Sequence, residues 1–146
     1  MHLVIDAVAV APGSSAIVLA HLIRAWRETW PGDRLTVVTG PGGPAFELPS
    51  DVDVDRLAAP LPGPLRGLWL RSFGVRRAAR SLRADAVLSG VPASGLVGTG
   101  CVRGLILYDL RHELRPEQFG RATRLARNIA WRWSMSHVDG IYTISE

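Results

Sequence analysis

Arg103-Gly-Leu-Ile-Leu-Tyr-Asp-Leu-Arg-His-Glu113 is the stretch from which the fold can be read. Leu105 to Tyr108 is a short apolar run of the length of a buried strand. It breaks at once into Asp109, Arg111, His112 and Glu113. In a parallel α/β sheet, polar groups arriving at the carboxyl end of a strand fall in the crevice where ligands bind. The segments before this stretch then read as scaffold leading to that edge. Those after it read as a helix and a strand that close the sheet.

Upstream, His2 to Val10 is a near-continuous apolar run with one acid, Asp6, as in strands covered on both faces. Ala11-Pro-Gly-Ser-Ser15 breaks it, and Ser14 or Ser15 is placed to cap a helix running to about Thr29. Ile17, Ala20, Leu22, Ala25 and Trp26 make its apolar face. The turn Trp30-Pro-Gly-Asp33 ends the helix, and Leu35 to Thr39 is a second strand, which makes a right-handed βαβ unit. Gly40 to Pro49 is a Gly/Pro-rich loop. Val52 to Leu57 alternates apolar and charged residues and reads as a short, exposed edge strand, followed by a proline-rich loop over Ala58 to Pro64.

Leu65 to Arg83 reads as a basic helix with Leu68, Val75, Ala79 and Leu82 toward the core. Its other face carries Arg66, Trp69, Phe73, Arg76, Arg77 and Arg80. Aromatics mixed with arginines suit contact with an anionic membrane interface. A solvated arginine face with its aromatics under neighbouring loops accounts for the same pattern. Ala84 to Ser89 is a strand, Gly90 to Gly100 a small-residue turn, and Gly104 to Tyr108 the next strand. Arg115 to Val138 is a long helix opened by Pro116, with Phe119, Ala122, Ala126, Ile129, Ala130 and Trp133 as its buried stripe. Asp139 to Ser145 is the last strand. The order predicts one α/β domain over residues 1–146: a Rossmann-like, doubly wound, mainly parallel sheet with helices on both faces.

Composition narrows the class. Of the 146 residues, 47% are apolar, which places the chain among globular proteins. No run reaches the ~18 apolar residues of a membrane span. The N-terminus lacks the basic region of a secretory signal, so a cytoplasmic location is expected, with peripheral contact to the inner membrane as an extension of it. The single Cys101 cannot form an internal disulfide. Net charge is +4, and all 17 basic residues are arginine. Coding bias explains that choice; so does the preference of arginine for bidentate contact with phosphate or carboxylate. No zinc spacing, helix-turn-helix or RNA-binding aromatic motif occurs, so nucleic acid is not an expected partner.

Two segments carry candidate chemistry. Gly13-Ser14-Ser15 lies between the first strand and helix, where backbone N–H groups form an anion site or simply a helix cap. The stricter three-glycine dinucleotide fingerprint is absent. Tyr108-Asp109 ends what reads as the central strand. A carboxylate there accepts hydrogen bonds from sugar hydroxyls, positions a base, or caps the following turn. His112 and Glu113 converge on the same edge. There is no Ser-His-Asp pattern, P-loop or metal-ligand cluster in the sequence.

On these residues the chain resembles the N-terminal domain of the family 4 glycosyltransferases, which have the GT-B fold. The strand leading into Pro12-Gly13-Ser14-Ser15 matches the family's first strand and loop, and Val37-Val38-Thr39 its second strand. Leu105-Ile-Leu-Tyr-Asp-Leu110 matches its hydrophobic run ending in His-Asp. Ser136-His-Val-Asp-Gly-Ile-Tyr-Thr-Ile-Ser-Glu146 matches its Ala-Asp-x-Ile-x-x-x-Ser-Glu ending. The resemblance implies one lobe of a GT-B enzyme that transfers a sugar from a nucleotide sugar to a sugar or lipid-linked acceptor, with retention and without a metal. The nucleotide sugar is then a substrate, and no cofactor is implied. By position, Gly13, Ser14 and Ser15 would face donor phosphates or acceptor. Tyr108, Asp109 and His112 would face the transferred sugar, with Asp109 as the catalytic candidate. Tyr108 stands where the family commonly has histidine, so no imidazole role is carried over. The family's donor-binding residues lie in a C-terminal domain that would begin at about Glu146. The expectation is a chain inactive alone and completed by that domain or by a partner chain. The alternative reading is a non-enzymatic Rossmann-like module that binds a partner protein or a membrane surface.

Overall fold

A computed structural model describes residues 1–92, 95–108, 116–118 and 120–143. Six strands form one sheet: β1 (His2–Asp6), β2 (Arg34–Thr39), β3 (Asp53–Arg56), β4 (Ala86–Ser89), β5 (Val102–Leu107) and β6 (Gly140–Thr143). Their order is β3-β2-β1-β4-β5-β6, and every neighbouring pair is parallel. This is the doubly wound, Rossmann-like α/β architecture, with β3 at one edge as the alternating pattern of Val52 to Leu57 predicts.

Helix α1 (Ser14–Thr29) links β1 to β2. Its Ala16, Leu19 and Ile23 pack on Leu3, Ile5, Leu35, Val37, Leu88 and Ile106, which form the front face of the sheet. The link from β3 to β4 is α2 (Pro64–Trp69), a π-helical turn (Leu70–Gly74) and α3 (Val75–Ser81). Here Val75, Ala78 and Ala79 cover Val4, Val38 and Val87 on the back face. A 3₁₀ turn (Pro116–Gln118) and α4 (Arg121–Ser136) lie between β5 and β6.

Several expected boundaries and faces move, each for a physical reason. Strand β1 stops at Asp6, because its carboxylate accepts the Val8 N–H (3.1 Å) and turns the chain. In α1 the buried residues are Ala16, Leu19 and Ile23; of the expected face, Leu22 and Trp26 pack half-buried against the same core, while Ile17 is 59% exposed and Ala25 exposed. The expected single helix over Leu65 to Arg83 holds a π turn, whose extra residue rotates everything upstream by about 100° relative to α3. Leu68 is therefore 41% exposed, and Leu70 takes the core position. The expected buried stripe of the last helix is on the outside: Ala122, Ala126, Ile129 and Trp133 are exposed, Ala130 is half-buried and only Ser134 is fully buried, while Phe119 lies outside the described residues. Finally, β5 is next to the edge strand β6; the centre of the sheet is β1 and β4.

Carboxylates fasten the amino ends of the strands. Asp85, just before β4, accepts the His2 N–H of β1 (2.7 Å), and Asp139, just before β6, accepts the Arg103 N–H of β5 (2.8 Å). Asp33, just before β2, accepts from the Met1 amine (2.8 Å) and from Trp26 Nε1 (3.0 Å). The buried His2 ring spans the same end. Its Nδ1–H donates to the Leu82 carbonyl (3.0 Å), so Nε2 accepts from the Thr36 hydroxyl (2.9 Å).

Candidate functional site

The strand order reverses between β1 and β4, and the carboxyl ends of these strands open the crevice expected of an open α/β sheet. At that point lie Asp6, the last residue of β1, and Ser89, the last of β4, with the Ser89 hydroxyl 3.5 Å from the Asp6 carboxylate. Asp6 is buried on the back face. Burial raises its pKa to about 6, against the opposing pull of the Val8 N–H, the Arg71 charge, the Ser89 hydroxyl and the Arg103 charge. Gly90 follows Ser89, and its N–H donates to the Asp6 carbonyl (2.9 Å). A Cβ there would stand 2.8 Å from Leu19 Cδ2 and 3.0 Å from Val10 Cγ2, so the close approach of this turn to α1 requires glycine.

Gly13 sits in front of α1 with φ 138°, a conformation that side chains resist, while the space around its Cα is open. Its carbonyl accepts the Ile17 N–H (3.1 Å). Ser14 and Ser15 are the first residues of the helix, and no side chain caps it, contrary to the serine cap read from sequence. The N-terminal amides of α1 are thus not engaged by a capping side chain.

From the other side comes Tyr108. It leaves β5 half-buried among the residues packed on the front-face core, and its hydroxyl donates to the Ser15 carbonyl at 3.4 Å. Burial pushes the phenol up to about 12, so it remains protonated and a donor at neutral pH. The structure therefore brings together Tyr108, Ser15 and, through the loop, Ser14 and Gly13. Asp109 and His112 lie outside the described residues.

The six residues read as a membrane-facing set divide. Phe73, Arg76, Arg77 and Arg80 line one open hollow of about 480 Å³ on α3. Trp69 is half-buried beside Gly74 and lines a neighbouring hollow with Leu57 and Arg77. Arg66 is exposed and belongs to neither. A larger groove of about 550 Å³ runs over the front face of β4, β5 and β6, lined by Leu22, Trp26, Leu88, Ile106 and Tyr142. Among the described residues, no three His, Cys, Asp or Glu side chains group as metal ligands, and no helix is long and apolar enough to cross a membrane.

Sequence reasoning missed Asp6 as part of this edge. The signal was present as the one acid in an otherwise apolar strand, a position where burial of a charge needs a reason.

No family model matches the chain, and no curated protein matches it. Among solved structures, the E. coli heptosyltransferase WaaC with ADP matches 100% of this chain and 42% of its own, at 16% sequence identity and a TM-score of 0.45. The chain thus spans less than half the length of that enzyme.

Proposed function

We propose that this chain is the acceptor-side lobe of a two-lobed glycosyltransferase of the GT-B type. It would present an acceptor to a sugar carried on a nucleotide, and a donor-binding lobe, in the same polypeptide or a partner, would complete the cleft. The observation that carries this reading is the meeting of Tyr108 with Ser15. It puts two segments singled out by the family 4 resemblance on one rim of a parallel sheet, beside the reversal of strand order.

Sugar transfer to a hydroxyl needs the acceptor held in line with the anomeric carbon and its hydroxyl groups oriented. The α1 amides behind Gly13 suit an anionic group of donor or acceptor. The Tyr108 phenol, already a donor, suits a sugar oxygen. Asp109 follows it in the chain and is proposed to accept from a sugar hydroxyl or position the acceptor's proton. Retention of configuration, a sugar or lipid-linked acceptor and a cytoplasmic setting belong to the same proposal.

Sugar transfer by the lobe joined to its donor-binding half tests it. Asp109→Ala is expected to lower kcat/KM by about a hundredfold, and Tyr108→Phe to raise KM for the acceptor. Full activity of Asp109→Ala would reject the site.

One observation favours a second reading. Phe73, 54% exposed among Arg76, Arg77 and Arg80, fits a non-enzymatic module that binds an acidic partner or surface through α3. Binding without any sugar transfer in the joined protein would favour it.

A further inference from the structure

Over residues 90–101 the chain crosses from β4 to the parallel strand β5 with no helix among the described residues. Such crossovers are usually helical, which satisfies their own peptide groups. Here those groups find partners in neighbouring elements. Ser72, 2% exposed in the π turn, accepts the Leu96 N–H on its Oγ (3.0 Å). Arg103 of β5 donates from Nη2 to the Gly95 carbonyl (3.3 Å), and Arg76 of α3 donates from Nη1 to the Gly98 carbonyl (3.1 Å). A Cβ on Gly95 would collide with the Arg71 carbonyl oxygen and stand 2.7 Å from Ser72 Cα. Backbone therefore lies on backbone, and the connection is fastened at Gly95 and Leu96.

The fastening lies level with the carboxyl ends of the strands. In the same π turn, Leu70 approaches Gly40, the first residue after β2, and Gly74 approaches Leu57, the first after β3. At its start the connection borders the crevice. Gly90 donates to the Asp6 carbonyl, and Val91 packs on the front-face core, as Tyr108 does. Around the rim the Gly13 loop is followed by the β4–β5 connection and then by Tyr108. Within that connection Leu96 has its N–H held and its residue surface 51% exposed. An exposed apolar side chain on a fixed backbone suits a binding wall, because the ligand does not have to order the loop. A π turn inside a helix is itself a frequent companion of functional sites.

We propose that the β4–β5 connection is the wall of the acceptor site on the π-turn side, with Leu96 touching the acceptor and Ser72 as the positioning residue that holds it. This rests on the acceptor role proposed for the lobe, and it adds two residues outside the segments 13–15 and 108–109 on which that role stands.

Sugar transfer by the lobe joined to its donor-binding half tests it, the acceptor probe being the octyl glycoside that the parent best accepts from a panel. Ser72→Ala and Leu96→Ala are each expected to raise KM for that glycoside by about tenfold. The kcat, and KM for the nucleotide sugar, are expected to stay within about twofold of the parent. Amide hydrogen exchange on the 146-residue chain reads the fastening directly. The Leu96 N–H is expected to exchange about tenfold faster in Ser72→Ala. Leu96 is half exposed, so Leu96→Ala is expected to melt with the parent and carries the kinetic test if Ser72→Ala misfolds. The inference fails if the Leu96 N–H exchanges equally fast in the parent and in Ser72→Ala. It fails equally if either folded variant keeps the parent's acceptor KM while Asp109→Ala loses transfer, and that outcome leaves the proposed function standing. A fall in kcat or a rise in donor KM as large as the change in acceptor KM would overturn it, by making Ser72 a general support. Absence of transfer by the parent rejects the proposed function and this inference together.

Discussion

The Tyr108 hydroxyl reaches the Ser15 carbonyl at 3.4 Å and ties the exit of β5 to the first turn of α1. These residues are far apart in the chain, and the tie crosses the crevice side of the sheet. It leaves the peptide N–H groups of that turn unengaged by Tyr108, which meets a carbonyl.

Tyr108→Phe removes this hydrogen bond and keeps the ring. A long, neutral bond contributes at most about 1 kcal/mol, so urea unfolding is expected to show a small loss. Burial of the phenol also gives a pH signature. The folded pKa is raised from 10.0 to about 12, so the stabilisation is complete below 10 and lost as pH rises toward 12. The parent is expected to lose more stability than Tyr108→Phe across that window.

Asp6→Asn is expected to stabilise the fold at neutral pH. The folded pKa of Asp6 is raised from 3.8 to about 6. The neutral carboxyl therefore favours the fold below the ordinary value, and that contribution disappears as pH rises through about 6. At pH 7 the buried charge costs on the order of 2–3 kcal/mol. Asparagine keeps the acceptor for the Val8 N–H and carries no charge. Unfolding midpoints near pH 4 and pH 7 are expected to differ less in the variant than in the parent.

Gly90→Ala is expected to cost about 1–3 kcal/mol by overpacking. The new methyl would press on Leu19 and Val10, and the Asp6 carbonyl at 3.2 Å blocks retreat on the third side. Thermal unfolding reads the loss.

Leu19→Ala and Ile17→Ala separate the observed face of α1 from the expected one. Leu19 is fully buried, and its truncation is expected to cost about 2–5 kcal/mol. Ile17 is largely exposed, and its truncation is expected to change stability by less than about 0.5 kcal/mol. Equal losses would place the core face elsewhere.

The architecture was legible because its signals are local. Apolar runs at His2, Leu35, Ala84 and Leu105, separated by Gly/Pro breaks, mark strands along the chain, and parallel pairing follows from the long crossovers between them, while the place of each strand in the sheet was not legible. Helix faces were not legible in the same way. A π turn at Leu70–Gly74 has no periodic signature of its own, yet it shifts which leucine faces inward. In α4 most of the residues expected as a buried stripe are exposed, because periodicity says which residues share a face and not what that face meets. At the candidate site, Tyr108 and the Gly13 loop were visible as breaks after strands. Asp6 was not, since a single acid inside an apolar run reads locally as an interruption.

The aspartates at 33, 85 and 139 give the sheet a fixed foot. Each ties the start of one strand to a neighbour through a hydrogen bond that does not involve the far rim. Substitutions in the loops at the top can therefore accumulate while strand alignment is secured from below. Such a division of labour lets one scaffold exchange the molecules it handles without first relearning how to assemble.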